Sequence, residues 1–426
     1  MTIDSALAFT IDSIKDLDSK GQFEDEIALV EASIERWPDE PSLHFHRGRI
    51  LRILGQTEEA IQSFRRALDL DSTFSDAIFS LIAMGKGEMA GGLAGLKRVE
   101  SRLDTPVDIV SLHYARARLL EDLNQNEEAF KEYTQANKKD AAQGGLNVDR
   151  LIRGARAVIK DVQPELVEKF SGHGSASEQP LFVIGVPRSG TSLTEQFLSA
   201  HPRIIGAGET QHWPGVMANL VRRASPPSGS MIESIHRLDP HIWHQAGDSY
   251  LSQFDSPPPG VSHIIDKLPG NFGLLPYIRL IFPKAKIIHI RRDPLATLYS
   301  CIKQHFRQRQ LAFSVEDWAG YYGIYQELIA TWEPMLAGQM ITIDYEDLVS
   351  DFSEVTKRVV AFVGLEWDNA CLHPEHNVRA VKTASVDQVR EPVHTNSTEK
   401  WRRHEAAMQP LLQVIDKTRE SIRSGL

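Results

Sequence analysis

LFVIGVPRSGTSL, residues Leu181 to Leu193, is an apolar run that stops at a glycine-containing turn and restarts as a helix. That is the build of a phosphate cradle, in which backbone N–H groups of the turn and the positive end of the helix meet an anion. Gly185 and Gly190 keep the five-residue spacing of a P-loop, but Thr191 and Ser192 stand where nucleotide hydrolases carry lysine and then serine or threonine. Arg188, Ser189, Gly190, Thr191 and Ser192 can hold a phosphate through a guanidinium, hydroxyls and backbone. Without the lysine that grips β and γ phosphates, the better ligand is an activated phosphate ester other than ATP or GTP.

Outward from this loop, apolar runs alternate with helical patterns. Strands are predicted at Leu181–Val186, His263–Ile265, Lys286–Ile290 and Met340–Ile343, and helices at Ser192–Ser199, Phe272–Ile281, Pro294–Gln304, Val315–Leu336 and Ser353–Val363, with a charged stretch from Ala384 ending in a helix towards Leu426. The alternation implies an α/β domain, a P-loop-like parallel sheet wrapped by helices with ligands at the carboxyl ends of the strands. It spans residues 181–426, behind a linker, SGHGSASEQP, at 171–180.

Residues 1–170 repeat. Gly21-Gln22-Phe23-Glu24 and Gly55-Gln56-Thr57-Glu58 lie 34 residues apart, with Ile27 matching Ile61 and Ile34 matching Leu68. That period is the signature of tetratricopeptide helix pairs, so an all-α repeat domain is expected. Leu51–Ala67 recurs at Leu119–Ala136, and a degenerate repeat weakened by Gly85, Gly87, Gly91, Gly92 and Gly95 lies between. Such arrays present a face to a peptide or partner protein, or pack structurally on a neighbouring domain.

The 426 residues call for at least two domains, and 42% hydrophobic with 24% charged residues is ordinary globular composition. The net charge of −10 is concentrated early: residues 1–170 hold 22 basic and 30 acidic side chains, the rest 25 and 27. This disfavours a nucleic-acid partner. No run reaches about eighteen consecutive apolar residues, and the first residues are acidic, so no membrane partner and a cytoplasmic location are expected. Cys301 and Cys371 are too few for a disulfide framework and are not spaced as metal ligands, so no metal is expected.

PRSGTSL at Pro187–Leu193 resembles the 5'-phosphosulfate-binding loop of sulfotransferases that use 3'-phosphoadenosine 5'-phosphosulfate (PAPS), and specifically of the protein-tyrosine sulfotransferase type. Further resemblances follow in order along the chain as far as Trp401. They imply the sulfotransferase fold, PAPS as donor, 3'-phosphoadenosine 5'-phosphate (PAP) as product, and a hydroxyl acceptor, with a peptide or protein favoured over a glycan or small molecule. In IIGAGETQHW, Glu209 takes the place of the catalytic glutamate, although this chain has Glu209-Thr210 where the family has two consecutive glutamates. His212 is the fallback base. Lys267, ending SHIIDK, resembles the lysine that stabilises the leaving group.

HIRRDPLATLYS resembles the 3'-phosphate-binding segment, with Arg292 and Ser300 as anchors, Asp293 as a helix cap and Arg291 left open. The family's next basic residue falls at Gln304, beside Lys303. Tyr345 matches the tyrosine near the adenosine. The late cofactor loop matches Ser385, Val386, Asp387, Gln388, Val389 and Arg390, with Ser385 at the place of a catalytic-site serine, and Lys400 matches a phosphate-contacting lysine. Two other readings compete with sulfuryl transfer: a P-loop kinase or NTPase, and a non-catalytic tetratricopeptide scaffold. The acceptor, the oligomeric state and the role of the array are not written in the sequence.

Overall fold

The 34-residue period becomes antiparallel helix pairs: α1 (Ile3–Lys20), α2 (Phe23–Arg36), α3 (Pro41–Leu54), α4 (Thr57–Leu70), α5 (Ser75–Ala83), α6 (Gly92–Glu100), α7 (Pro106–Asp122) and α8 (Asn126–Ala141). This is a computed structural model, and it describes residues 3–103, 105–224, 239–306, 315–409 and 413. The turn between paired helices needs a left-handed residue. Gly21 (φ 72°) and Gly55 (φ 85°) supply it in the first two pairs, and Asn124 (φ 59°) in the last. Close approach is set by small residues: a Cβ on Gly48 would stand 2.7 Å from the Phe64 ring. Phe64, with Ala60, Ala67, Leu81 and Ala115, forms the buried core of these pairs. The glycine-rich repeat is the irregular one, broken by a 3₁₀ turn at Gly87–Ala90.

The chain divides into two compact units, and the division differs from the sequence-based boundaries. The repeat unit comprises Met1–Leu146 with two later segments, Ile302–Ser314 and Val378–Arg390. The sheet unit comprises Asn147–Cys301, Val315–Asn377 and Glu391–Leu426. Residues 147–170, expected in the repeats, form α9 (Val148–Asp161) and α10 (Pro164–Lys169) within the sheet unit. There α9 packs on the helix Val315–Trp332, where a Cβ on Gly320 would lie 2.8 Å from Val148. The stretch 171–180 is not a free linker. Ser175 is buried and its N–H donates to Ile281 O at 2.7 Å, and Gly174 lies so close to the Leu280 carbonyl that a side chain would not fit.

Five parallel strands, β1 (Pro180–Gly185), β2 (Ile204–Gly206), β3 (His263–Asp266), β4 (Lys286–Arg291) and β5 (Met340–Asp344), run in the order β2-β3-β1-β4-β5. Central β1 pairs with β3 (Leu181 opposite Ile265) and with β4 (Val183 opposite Ile288), and every one of its residues is buried, as a strand covered on both faces must be. Four strands fall where the sequence pattern placed them. The three-residue β2 was not anticipated, nor were the helices α12 (His212–Ala224), His241–Leu251 and Tyr345–Ser350. The expected helix at Phe272–Ile281 is a 3₁₀ turn, Pro269–Leu274, followed by a short α-helix, Leu275–Ile281. The helix expected towards Leu426 lies outside the described residues apart from its start.

Candidate active site

Each strand ends in a residue that the sequence singled out. Beyond β1 come Arg188–Ser192 and α11 (Thr191–Leu198); beyond β2 comes Glu209; beyond β3, Lys267; beyond β4, Arg292; and beyond β5, Tyr345. Strand order reverses between β1 and β4, the switch point at which open α/β sheets bind ligands.

The loop after β1 is held in an uncommon conformation. Arg188 is left-handed at φ 68°, and Gly190, at φ 113°, packs so tightly under the Tyr345 ring that a Cβ would overlap it. Arg188 Nε donates to Ser300 Oγ at 3.0 Å. Arg292 donates to the Arg188 carbonyl at 2.9 Å and to the Ser397 carbonyl at 2.7 Å, and its guanidinium lies 4.4 Å from the Tyr345 ring centre. Tyr345 OH and Ser397 Oγ share a hydrogen bond of 2.8 Å. Burial, above all, lowers the Arg188 pKa, and neighbouring Arg292 pushes the same way. Two guanidinium groups therefore converge on one turn. Ser189 Oγ and Arg292 Nε are buried there without a hydrogen-bond partner, an arrangement suited to a polyanion.

The second cluster is acid and base. Lys267 is fully buried and its Nζ donates to Glu209 Oε1 at 2.6 Å, while the Glu209 side chain is 29% exposed. The Lys267 N–H also donates to Gly208 O at 3.0 Å, tying β3 to the turn that carries Glu209. Asp266, buried beside Lys267, accepts from Tyr250 OH at 3.0 Å and from Thr210 Oγ1 at 3.1 Å. Burial, opposed by those hydrogen bonds, pushes its carboxyl up to about 7. The fallback base, His212, is half-buried with its ring edge-on to Phe254 at 4.8 Å.

Other candidates are placed differently. Asp293 is a cap: its carboxylate accepts the Ala296 N–H at 2.8 Å. Arg291 is engaged in a two-pronged pair with Asp344, at 2.6 and 2.8 Å. Arg292 and Asp293 also line a cavity of about 590 Å³ with His289, Tyr322, Tyr325 and Asp344. Lys400 is exposed at the start of a 3₁₀ turn, Lys400–His404.

Ser385 and Val386–Arg390 belong to the repeat unit. Val381 N–H donates to Ile53 O at 3.0 Å, Arg52 Nε to Asp387 Oδ1 at 2.9 Å, and Arg390 Nη2 to Ile53 O at 2.9 Å, so this segment closes the end of α3. Lys303 is likewise committed within the repeat unit, with its Nζ 2.6 Å from Glu121. Among the described residues, His373, Glu375 and His376 bring ligand-type atoms within 4.8 Å of one another. No helix among the described residues is long and apolar enough to cross a membrane.

The carboxyl ends of the parallel strands thus bring together the loop after β1, two arginines and a lysine–glutamate pair. Residues 180–369 match the sulfotransferase family and residues 12–73 match the tetratricopeptide repeat. It is 28% identical over 407 residues to an uncharacterized protein of Aquifex aeolicus (strain VF5), covering 91% of this chain and 52% of that protein. It is 27% identical over 247 residues to a protein-tyrosine sulfotransferase of Drosophila melanogaster, covering 53% of this chain and 47% of that protein. Thus the chain spans about half the length of these curated relatives. Among solved structures, it aligns with the sulfotransferase domain of the Synechococcus PCC 7002 olefin synthase at 20% identity and TM-score 0.41, covering 57% of this chain and 95% of that one.

Proposed function

We propose that this protein transfers a sulfuryl group from PAPS to a hydroxyl acceptor, a tyrosine of a polypeptide in the first instance. The observation that carries the reading is the contact of Lys267 Nζ with Glu209 Oε1 at 2.6 Å, at the strand ends that also present Arg188 and Arg292. When bound, PAPS supplies the activated sulfuryl group. Arg188, Ser189, Gly190, Thr191 and Ser192 hold its 5'-phosphosulfate, Arg292 and Ser300 its 3'-phosphate, and Tyr345 lies by the nucleoside. The buried, partnerless Ser189 Oγ and Arg292 Nε fit those roles. Glu209 takes the hydroxyl proton of the acceptor as its oxygen bonds to sulfur. Lys267 meets the negative charge left on the departing phosphate oxygen. Lys400 completes the proposed cofactor set within the sheet unit, from the family resemblance. The tyrosine acceptor is favoured by the protein-tyrosine sulfotransferases among the relatives, and the repeats supply a surface suited to a polypeptide.

Calorimetric titration with PAP and with ATP tests the reading. PAP should bind at least tenfold more tightly, and without magnesium, because Thr191 replaces the lysine that grips β and γ phosphates. Equal or tighter, magnesium-dependent ATP binding overturns it in favour of a P-loop kinase or NTPase. Tight PAP binding with no transfer from labelled PAPS to any peptide, glycan or phenol would leave the scaffold reading.

A further inference from the structure

Glu195 belongs to none of the motifs above, yet it lies at the centre of the acid–base cluster. It sits on α11, just beyond the phosphate loop, and is fully buried. A carboxylate in such a place must be held by donors or cations. Its Oε1 accepts the Gly208 N–H at 2.8 Å, and its Oε2 lies 3.8 Å from Lys267 Nζ. The Gly206–Gly208 turn is shaped around it: a Cβ on Gly206 would stand 2.9 Å from Oε1, and Gly208 has φ 75°. The next residue of that turn is Glu209.

The buried ammonium of Lys267 therefore faces two carboxylates of different character, the partly exposed Glu209 and the sealed Glu195. If Glu209 accepts a proton, it stops neutralising Lys267 at the moment the leaving group needs that cation. Uncompensated burial disfavours a charged ammonium. We propose that Glu195 is a positioning residue for sulfuryl transfer. It fixes the turn that carries Glu209, and it holds the Lys267 side chain in place, opposite a carboxylate, while Glu209 takes the proton. This role rests on the sulfotransferase reading given above.

The test compares Glu195→Gln, Lys267→Ala and the double variant in the full chain. PAP binding is followed by calorimetry, and transfer from labelled PAPS to tyrosine-containing peptides by steady-state kinetics. Glutamine keeps an acceptor oxygen for the Gly208 N–H and removes only the charge. Glu195→Gln should leave PAP affinity and the PAPS KM within about twofold, lower kcat by roughly tenfold or more, and have no further effect once Lys267 is alanine. Gly206→Ala, which displaces the carboxylate but keeps its charge, should lower kcat in the same way and covers the case of a poorly folded Glu195 variant. Wild-type kcat in both variants overturns the inference, as does an equal loss from Glu195→Gln in the Lys267→Ala background, which would mark a structural role. A wild-type protein that neither binds PAP nor transfers sulfate removes the sulfotransferase reading itself, and this role with it.

Discussion

Replacing Arg188 by glycine separates affinity from stability, because the structure assigns this residue opposing effects on the fold. At φ 68° its backbone is left-handed, which costs a non-glycine residue roughly 1–2 kcal/mol, and glycine would relieve that strain. Against this, glycine raises the entropy of the unfolded chain by about 0.5–1 kcal/mol and gives up the 3.0 Å hydrogen bond to Ser300, a further loss of about 1 kcal/mol. These contributions nearly cancel, so Tm should move by about 4 °C or less for a unit of this size. The ligand has no such compensation. Loss of a charge-assisted anchor should weaken PAP by about 1.5–3 kcal/mol, or about 10- to 150-fold in Kd. Arg188→Lys keeps the charge without the planar fork and should fall between the two. Calorimetry for PAP and scanning calorimetry for the fold read both quantities. Unchanged PAP affinity with a Tm lowered well beyond 4 °C would refute the reasoning and make Arg188 a strut for Ser300.

Three further outcomes follow from particular contacts. Glu209→Gln should leave PAP binding nearly intact and cut turnover by roughly a hundredfold or more; survival of turnover there, with loss in His212→Ala, would move the base to His212. Asp266 titrates near about 4 in the unfolded chain and at about 7 in the folded one, so the folded protein holds the extra proton between those values. The stability this group contributes is full below about pH 4 and is lost as pH rises through about 7, on the order of 3–4 kcal/mol. Asp266→Asn should therefore gain in Tm relative to wild type between pH 5 and pH 8, and a constant difference would contradict the raised pKa. Arg52→Ala removes the two-pronged pair with Asp387, and hydrogen exchange at Val381, Val386 and Val389 should quicken by about tenfold in the full chain. Unchanged exchange would mean that the remaining contacts at Ile53 suffice.

What could be read locally was read. The strand–loop–helix at residues 181–193 is encoded within thirteen residues, because an apolar strand, two glycines and a helix start each dictate their own backbone. The repeats were legible because each helix pair contacts its neighbours and so recurs at a fixed spacing. Lys267 and Glu209 were singled out by resemblance, and their direct contact appears only once β2 and β3 pair.

Other features needed the tertiary structure. A three-residue strand such as β2 has too few residues to show a period, and it exists through its pairing with β3. Glu195 looks in sequence like any polar residue of an amphipathic helix; its burial follows from the fold of the Gly206–Gly208 turn over it and from the approach of Lys267, 72 residues away. Ser385–Arg390 looked like a late piece of the sheet domain, but Asp387 pairs with Arg52, 335 residues earlier, and the segment folds with the repeats. Backbone preference and burial period are short-range properties that a sequence carries openly. Which distant charge meets which is a property of topology, decided when the strands and helices have taken their places.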